Sequence, residues 1–169
     1  LLVLPPPGGG KTYLACAIGI AACQNGHTVT YARMDELARR LVIARGDGIR
    51  HQKMLNDLSD VELLIIDDMG LKDLPARSGE ILLEIILRRH ETRSTLMTSN
   101  RPVEDWGKLL GDIPTAGAIL DRLLHRAEVI AIHGRSHRLA ASVAEKAEDR
   151  TSKAGSGTGK RPHPDSQTA

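Results

Sequence analysis

The run Leu1-Leu2-Val3-Leu4-Pro5-Pro6-Pro7-Gly8-Gly9-Gly10-Lys11-Thr12 restricts the possible folds more than any other part of the chain. Four apolar residues read as a short buried strand and the Pro/Gly stretch as a tight turn. The apolar run from Tyr13 to Cys23 reads as a helix stopped by Gly26. A strand that passes through a glycine-rich turn into a helix start aims backbone N–H groups at an anion. In the pattern G-x-x-x-x-G-K-[ST] the glycines let the chain curl round phosphates, the lysine meets their charge and the hydroxyl serves Mg²⁺. Pro7, Gly8, Gly9, Gly10, Lys11 and Thr12 fill those places, but Pro5 stands where the pattern has its first glycine. Proline removes one donor and fixes φ, so a distorted loop entry and weaker binding are expected. The alternative is a Pro/Gly-rich turn that contains Gly-Lys-Thr by chance.

Strands are predicted at residues 1–4, 28–32, 61–67, 94–99 and 128–132, alternating with helices as in βαβ units around a parallel sheet. Asp35 is expected to cap a helix carrying Leu37 and Leu41, ended by Arg45-Gly46-Asp47-Gly48. Ser78 is expected to cap another with Ile81, Leu82, Ile85 and Ile86 on one face, and a further helix is predicted over 116–126, after Pro114. The chain has no Phe, one Trp and two Tyr, so its core must be aliphatic. Such a core suits buried parallel strands under helices, and the lack of aromatics argues against a base-stacking module. With 169 residues the chain amounts to about one domain. Residues 1–139 are read as that domain, truncated at its N-terminus because Leu1 already lies in a strand; residues 140–169, rich in Gly, Ser, Thr and Lys, are read as a disordered tail.

Leu63-Leu64-Ile65-Ile66-Asp67-Asp68 would carry two carboxylates to the C-terminal edge of the sheet, where ligands of α/β folds bind. Paired with the loop, Asp67 would hold the Mg²⁺ shell and Asp68 would polarise an attacking water. Alone, the same run is more often a turn or a helix start. Thr98-Ser99-Asn100 ends the next strand, and Asn100 could orient water or touch a γ-phosphate, although Ser-Asn before Arg-Pro is also a routine turn. Asp121-Arg122 sits on a helix ahead of the last strand. Arg122 is either a finger that stabilises charge in a neighbouring subunit or half of a surface ion pair.

These segments, together with Glu104-Asp105-Trp106-Gly107 and His133-Gly134-Arg135-Ser136, resemble in order the IstB-like transposition-helper ATPases, AAA+ proteins related to the DnaC helicase loaders. The resemblance covers residues 1 to about 139. It implies a five-stranded parallel sheet in the order 5-1-4-3-2, without a helical lid domain after it, and ATP with Mg²⁺ as cofactors. It also implies oligomers assembled on double-stranded DNA, with a transposase as partner. By motif, Lys11 and Thr12 become phosphate and Mg²⁺ ligands, Asp67 and Asp68 the paired acids, Asn100 the sensor and Arg122 the trans-acting finger. Helicase loading is the nearest rival within that class. An interaction module without turnover and a small-molecule kinase are more distant ones.

The formal charge of +2 hides segregation. Arg33, Arg39, Arg40, Arg45, Arg50 and Lys53 crowd residues 33–53, while residues 54–84 are mainly acidic. The basic stretch is either a solvated face or a stripe for DNA phosphates. Cys16 and Cys23 lie too far apart on one helix to pair and are expected to be small core residues of a reduced, cytoplasmic protein. His125, His133 and His137 fit no zinc spacing, and Trp106 is expected to pack against strand ends. The longest apolar run is too short to span a bilayer.

Overall fold

The computed structural model describes residues 1–4, 9–125 and 127–131. The loop positions 5–8, Arg126, His133, His137 and the proposed tail at 140–169 lie outside the described residues. The chain runs through β1 (Leu2–Leu4), α1 (Lys11–Gln24), β2 (Val29–Arg33), α2 (Met34–Ala44), α3 (Gly48–Asp60) and β3 (Leu63–Met69). It continues with α4 (Ser78–Arg89), β4 (Ser94–Ser99), a 3-10 turn at Val103–Asp105, α5 (Trp106–Leu110), α6 (Ile113–Leu124) and β5 (Val129–Ala131).

All strand pairs are parallel, in the order β2-β3-β4-β1-β5, which is the expected 5-1-4-3-2 read from the other edge. Parallel crossovers are right-handed. The step from β1 to β2 runs one way across the sheet and every later step runs the other way, so α1 lies alone on one face. The division shows in the packing. Leu2, Leu64, Ile66 and Met97 point into a large core under α2 to α6, while Ile65 and Leu96 meet Ala15 of α1 on the opposite face. Burial of each such side chain stabilises the fold by about 1.5–3 kcal/mol.

Helix α1 sits very close to the sheet, because a Cβ at Gly19 would come within 2.9 Å of Ile65 Cδ1. Its other side is open. Tyr13 is 82% and Ile20 60% exposed, and Cys16 and Cys23 are exposed free thiols, which corrects their expected place in the core. A helix that is apolar all round but covered on one side leaves half of its small residues outside. Gly26, at φ 85°, ends the helix as expected.

The capping expectations need correction. Strand β2 leads straight into α2, so Asp35 is the second helical residue and is buried, paired with Arg39 at 2.7 Å and Lys72 at 3.1 Å. The residue that does cap is Asp47, whose side chain accepts from the backbone N–H groups of Ile49 and Arg50, both at 3.1 Å, and so starts the unforeseen α3. Ser78 is the first residue of α4, and its hydroxyl donates to the Pro75 carbonyl at 2.5 Å instead of capping. Helix α6 begins at Ile113, with Pro114 inside its first turn where a missing N–H costs nothing.

Two buried polar contacts tie the layers together. Trp106 is fully buried and its indole N–H donates to Ser99 Oγ at 3.3 Å, at the end of β4, as anticipated. Arg89, in the last turn of α4, is 1% exposed. Its guanidinium donates to the carbonyls of Leu58 at 2.7 Å, Val61 at 2.8 Å and Ser94 at 2.5 Å, and to Thr95 Oγ1 at 3.0 Å. One side chain thus joins the end of α3 and the connection that follows it to the start of β4. Burial, with Arg93 adding to it, pushes its pKa down to about 10, which leaves it charged at neutral pH.

Candidate functional site

Strand order brings the predicted acids and the start of α1 to one edge. β3 and β4 end beside β1, and β1 feeds through the loop into Gly9 and Gly10. Gly10 adopts φ 81° at the N-cap of α1, a conformation that favours glycine, and a Cβ there would face open space. The two residues after it are Lys11, 95% buried, and the half-buried Thr12.

Asp67 is fully buried and faces α1. Thr98 Oγ1 donates to its Oδ1, the Tyr31 hydroxyl donates to its Oδ2 at 2.7 Å, and the Thr12 hydroxyl supplies a further hydrogen bond. Burial pushes the carboxyl pKa up, but these donors, led by Thr98 and Tyr31, outweigh it and hold the value below the ordinary 3.8. On the other partner, burial and the hydrogen bond to Asp67 push the Tyr31 phenol pKa up.

The pairing of β3 with β4 is irregular between Ile66 and Met69, and Asp68 adopts φ 61° there. The irregularity lets consecutive acids serve different neighbours. Asp68 Oδ1 accepts from Asn100 Nδ2 at 3.1 Å, its Oδ2 lies 3.5 Å from Arg33 Nε, and its backbone N–H donates to Thr98 Oγ1 at 3.0 Å. Asn100 is fixed in turn by its own N–H, which donates to the Met69 carbonyl at 2.8 Å. Gly70 closes this turn at φ 79°, where a Cβ would lie 2.5 Å from Arg101 Cγ.

The structure therefore brings together Gly9, Gly10, Lys11, Thr12, Asp67, Asp68 and Asn100, while Pro7 and Gly8 fall outside the described residues. It does not bring Arg122 to them. Arg122 lies in the last turn of α6, donates to the Ala118 carbonyl at 3.1 Å and lies 3.6 Å from Asp121. It lines a cleft of about 540 Å³ with Leu1, Leu63 and Ser94, at the opposite edge of the sheet. Four strand steps, about 13 Å, separate Leu63 from Asp67.

Sequence reasoning missed Tyr31, Arg33 and the part played by Thr98. The expected strand order already placed β2 beside β3, so a polar ring near the end of β2 was the available signal.

A hydroxyl and a carboxylate bonded to each other are hard oxygen donors of the kind that suit Mg²⁺, which takes few protein ligands. Among the described residues no cluster of three or more His, Cys, Asp or Glu offers a larger cage. His125 instead lies 3.8 Å from Glu91 and packs edge-on to His90, 5.7 Å between ring centres. No described helix is long and apolar enough to cross a membrane.

The family model described as IstB-like ATP binding protein matches residues 1–145. A candidate insertion-sequence ATP-binding protein of Sinorhizobium fredii, y4pL, is 44% identical over 138 residues, which cover 82% of this chain and 56% of that protein. A candidate ATP-binding protein of insertion sequence IS21 from Pseudomonas aeruginosa is 38% identical over 139 residues, covering 82% of this chain and 52% of its own length. The chain thus spans a little over half the length of either relative. Among solved structures, the DnaC helicase loader superimposes with a TM-score of 0.64 at 25% identity, covering 79% of this chain and 77% of the loader. AMPPCP-bound DnaA from Aquifex aeolicus does so with a TM-score of 0.65 at 21% identity, covering 89% of this chain and 45% of DnaA.

Proposed function

The chain belongs to the family of IstB-like ATP binding proteins, with an AAA+ fold, and from that membership we propose that it is the ATPase module of a transposase helper that assembles on double-stranded DNA. The observation that supports turnover most is the cluster at the sheet edge, where Thr12 and Thr98 meet at Asp67 while Asn100 holds Asp68.

In this reading the loop that leads into Gly9 and Gly10 is the phosphate site, Pro7 and Gly8 belong to it by motif, and Lys11 neutralises the phosphates of ATP. Thr12 and Asp67 would hold Mg²⁺, which would supply positive charge to offset that of the phosphates. Asp68 orients and deprotonates the attacking water, and Asn100 keeps that carboxylate aimed and senses the γ-phosphate. Arg122 lies at the far edge of its own sheet and serves the site of a neighbouring subunit, as a trans-acting arginine worth ~10³–10⁵ in rate. Helicase loading is the second reading, favoured by the likeness to the DnaC loader over most of both chains.

The DNA contact falls on a smaller set than the basic stretch suggested. Arg39 is committed to Asp35, Arg45 to Glu80 and Arg33 to Asp35 and Asp68. Arg40, Arg50 and Lys53 have no ion-pair partner among the described residues, and Arg50 and Lys53 are exposed on α3.

The test is an ATP titration with and without Mg²⁺, followed by turnover at rising protein concentration. Lys11→Ala should lose binding. Asp68→Asn should bind and not hydrolyse, and Arg122→Ala should bind, turn over slowly and recover part of its activity when mixed with Asp68→Asn. Turnover per subunit that is independent of concentration, with a dead mixture, would rule out the trans-acting role; unchanged ATP affinity in Lys11→Ala would rule out the phosphate site.

A further inference from the structure

Asp67 belongs to the central strand of three, and its two carboxylate oxygens are claimed from opposite sides. Thr98 reaches Oδ1 from β4 and Tyr31 reaches Oδ2 from β2, the latter at 2.7 Å. In the sheet register Tyr31 stands opposite Ile65 and Arg33 opposite Asp67, so the phenol lies on the face of Ile65 and Asp67 and reaches forward along the strand. The residue is 44% exposed, so packing alone asks little of it. Among the described residues its hydroxyl has no other hydrogen-bond partner.

The terminal torsion of an aspartate is soft, and a carboxylate held through one oxygen can swing. Held through both, from strands on either side, its plane is fixed. The lone pairs that remain then face Thr12 and the start of α1. Groups that hydrogen-bond a metal's ligands fix their orientation, and their loss typically lowers metal affinity 10–100-fold.

We propose that Tyr31 is a positioning residue for the metal shell: its hydroxyl clamps the Asp67 carboxylate in the plane that receives Mg²⁺, and so sets the divalent-cation affinity of the nucleotide-loaded protein. The inference rests on the reading that Asp67 and Thr12 hold Mg²⁺. It predicts a separation of two affinities that a packing role would move together.

Tyr31→Phe keeps the ring and removes only the donor. A fluorescent ATP analogue titrated in EDTA gives the metal-free affinity. Mn²⁺ binding to the nucleotide-loaded protein, read by electron paramagnetic resonance, gives the metal affinity directly. Tyr31→Phe should raise the Mn²⁺ half-saturation about tenfold and leave the EDTA affinity within about twofold of the parent. Asp67→Asn, run alongside, should lose the Mn²⁺ site altogether. If Asp67→Asn loses it while Tyr31→Phe binds Mn²⁺ as well as the parent or better, the clamp is refuted and the metal reading stands. Equal loss in EDTA and in Mn²⁺ refutes the clamp as well, since it marks a merely structural residue. If Asp67→Asn keeps the metal, or the parent shows none, the underlying reading fails and the inference falls with it.

Discussion

Arg89→Met removes a guanidinium and keeps a stem of similar length, which isolates the worth of one buried charge. The carbonyls of Leu58, Val61 and Ser94, within 2.8 Å of that guanidinium, would lose that donor, Leu58 in a buried setting and the other two in partly buried ones. Leu58 is among the last residues of α3, whose carbonyls have no donor within the helix, so no backbone group can take over. The orphaned buried carbonyl of Leu58 costs about 1–3 kcal/mol, and the two partly buried bonds to a charged donor add about 1–2 kcal/mol each. Removal of the arginine also abolishes its own desolvation penalty, several kcal/mol in the opposite sense. The net loss should be about 2–4 kcal/mol, a large share of the ~5–15 kcal/mol typical of a domain. At an m-value near ~2 kcal/mol/M the urea midpoint should fall by about 1–2 M. Trp106, the only tryptophan and fully buried, reports unfolding by its fluorescence. Arg89→Lys should fall between the two, because an ammonium has three donors and no planar fork. A midpoint shift below about 0.5 M for Arg89→Met would show that the carbonyls find other partners and that the guanidinium does not tie the layers together.

Two further expectations concern stability and partners. Asp67 is held below its free pKa of 3.8, so its contribution is complete above that value and is lost as pH falls through the lower folded value. Thr98→Val removes its leading donor and should destabilise by about 1–2 kcal/mol at pH 7, a gap that narrows below about pH 4; urea midpoints at both pH values test this, and a gap independent of pH contradicts it. Arg50→Glu with Lys53→Glu should weaken binding of unrelated duplexes alike and flatten the salt dependence by roughly two phosphate contacts, measured by fluorescence anisotropy across salt concentrations. Loss confined to one sequence would speak against a phosphate contact.

The edge of the sheet was legible because its chemistry is local in sequence. Gly10-Lys11-Thr12, Asp67-Asp68 and Asn100 each follow a strand, and strand ends in a parallel sheet gather at one edge. What stayed hidden depends on contacts across the fold. Tyr31 gains its meaning only from an aspartate 36 residues away, and Arg89 only from carbonyls on α3, on β4 and in the connection between α3 and β3. Helix α3 was missed because it buries little beyond Leu55 and Leu58, which leaves no apolar stripe to read, although Asp47 two residues before Ile49 was a visible cap. Asp35 was misplaced because a short acid before an apolar run looks the same at the cap as one position inside the helix. The cysteines were misjudged because hydrophobic character shows which residues can be buried and says nothing of how many helices share a face.

The close seat of α1 on the sheet has a consequence for inheritance. A Cβ added at Gly19 would lie 2.9 Å from Ile65 Cδ1, so the end of that packed side chain would have to move to admit it. The histories of the two positions are therefore coupled. Alanine at position 19 favours the helix by about 1 kcal/mol but meets that methyl group. Valine at position 65 removes the methyl at a loss of about 0.5–1.5 kcal/mol. A lineage that first accepts Ile65→Val can take Gly19→Ala as compensation, whereas the reverse order passes through a crowded intermediate. Among descendants of this chain, alanine at 19 should then be found with valine at 65 far more often than with isoleucine.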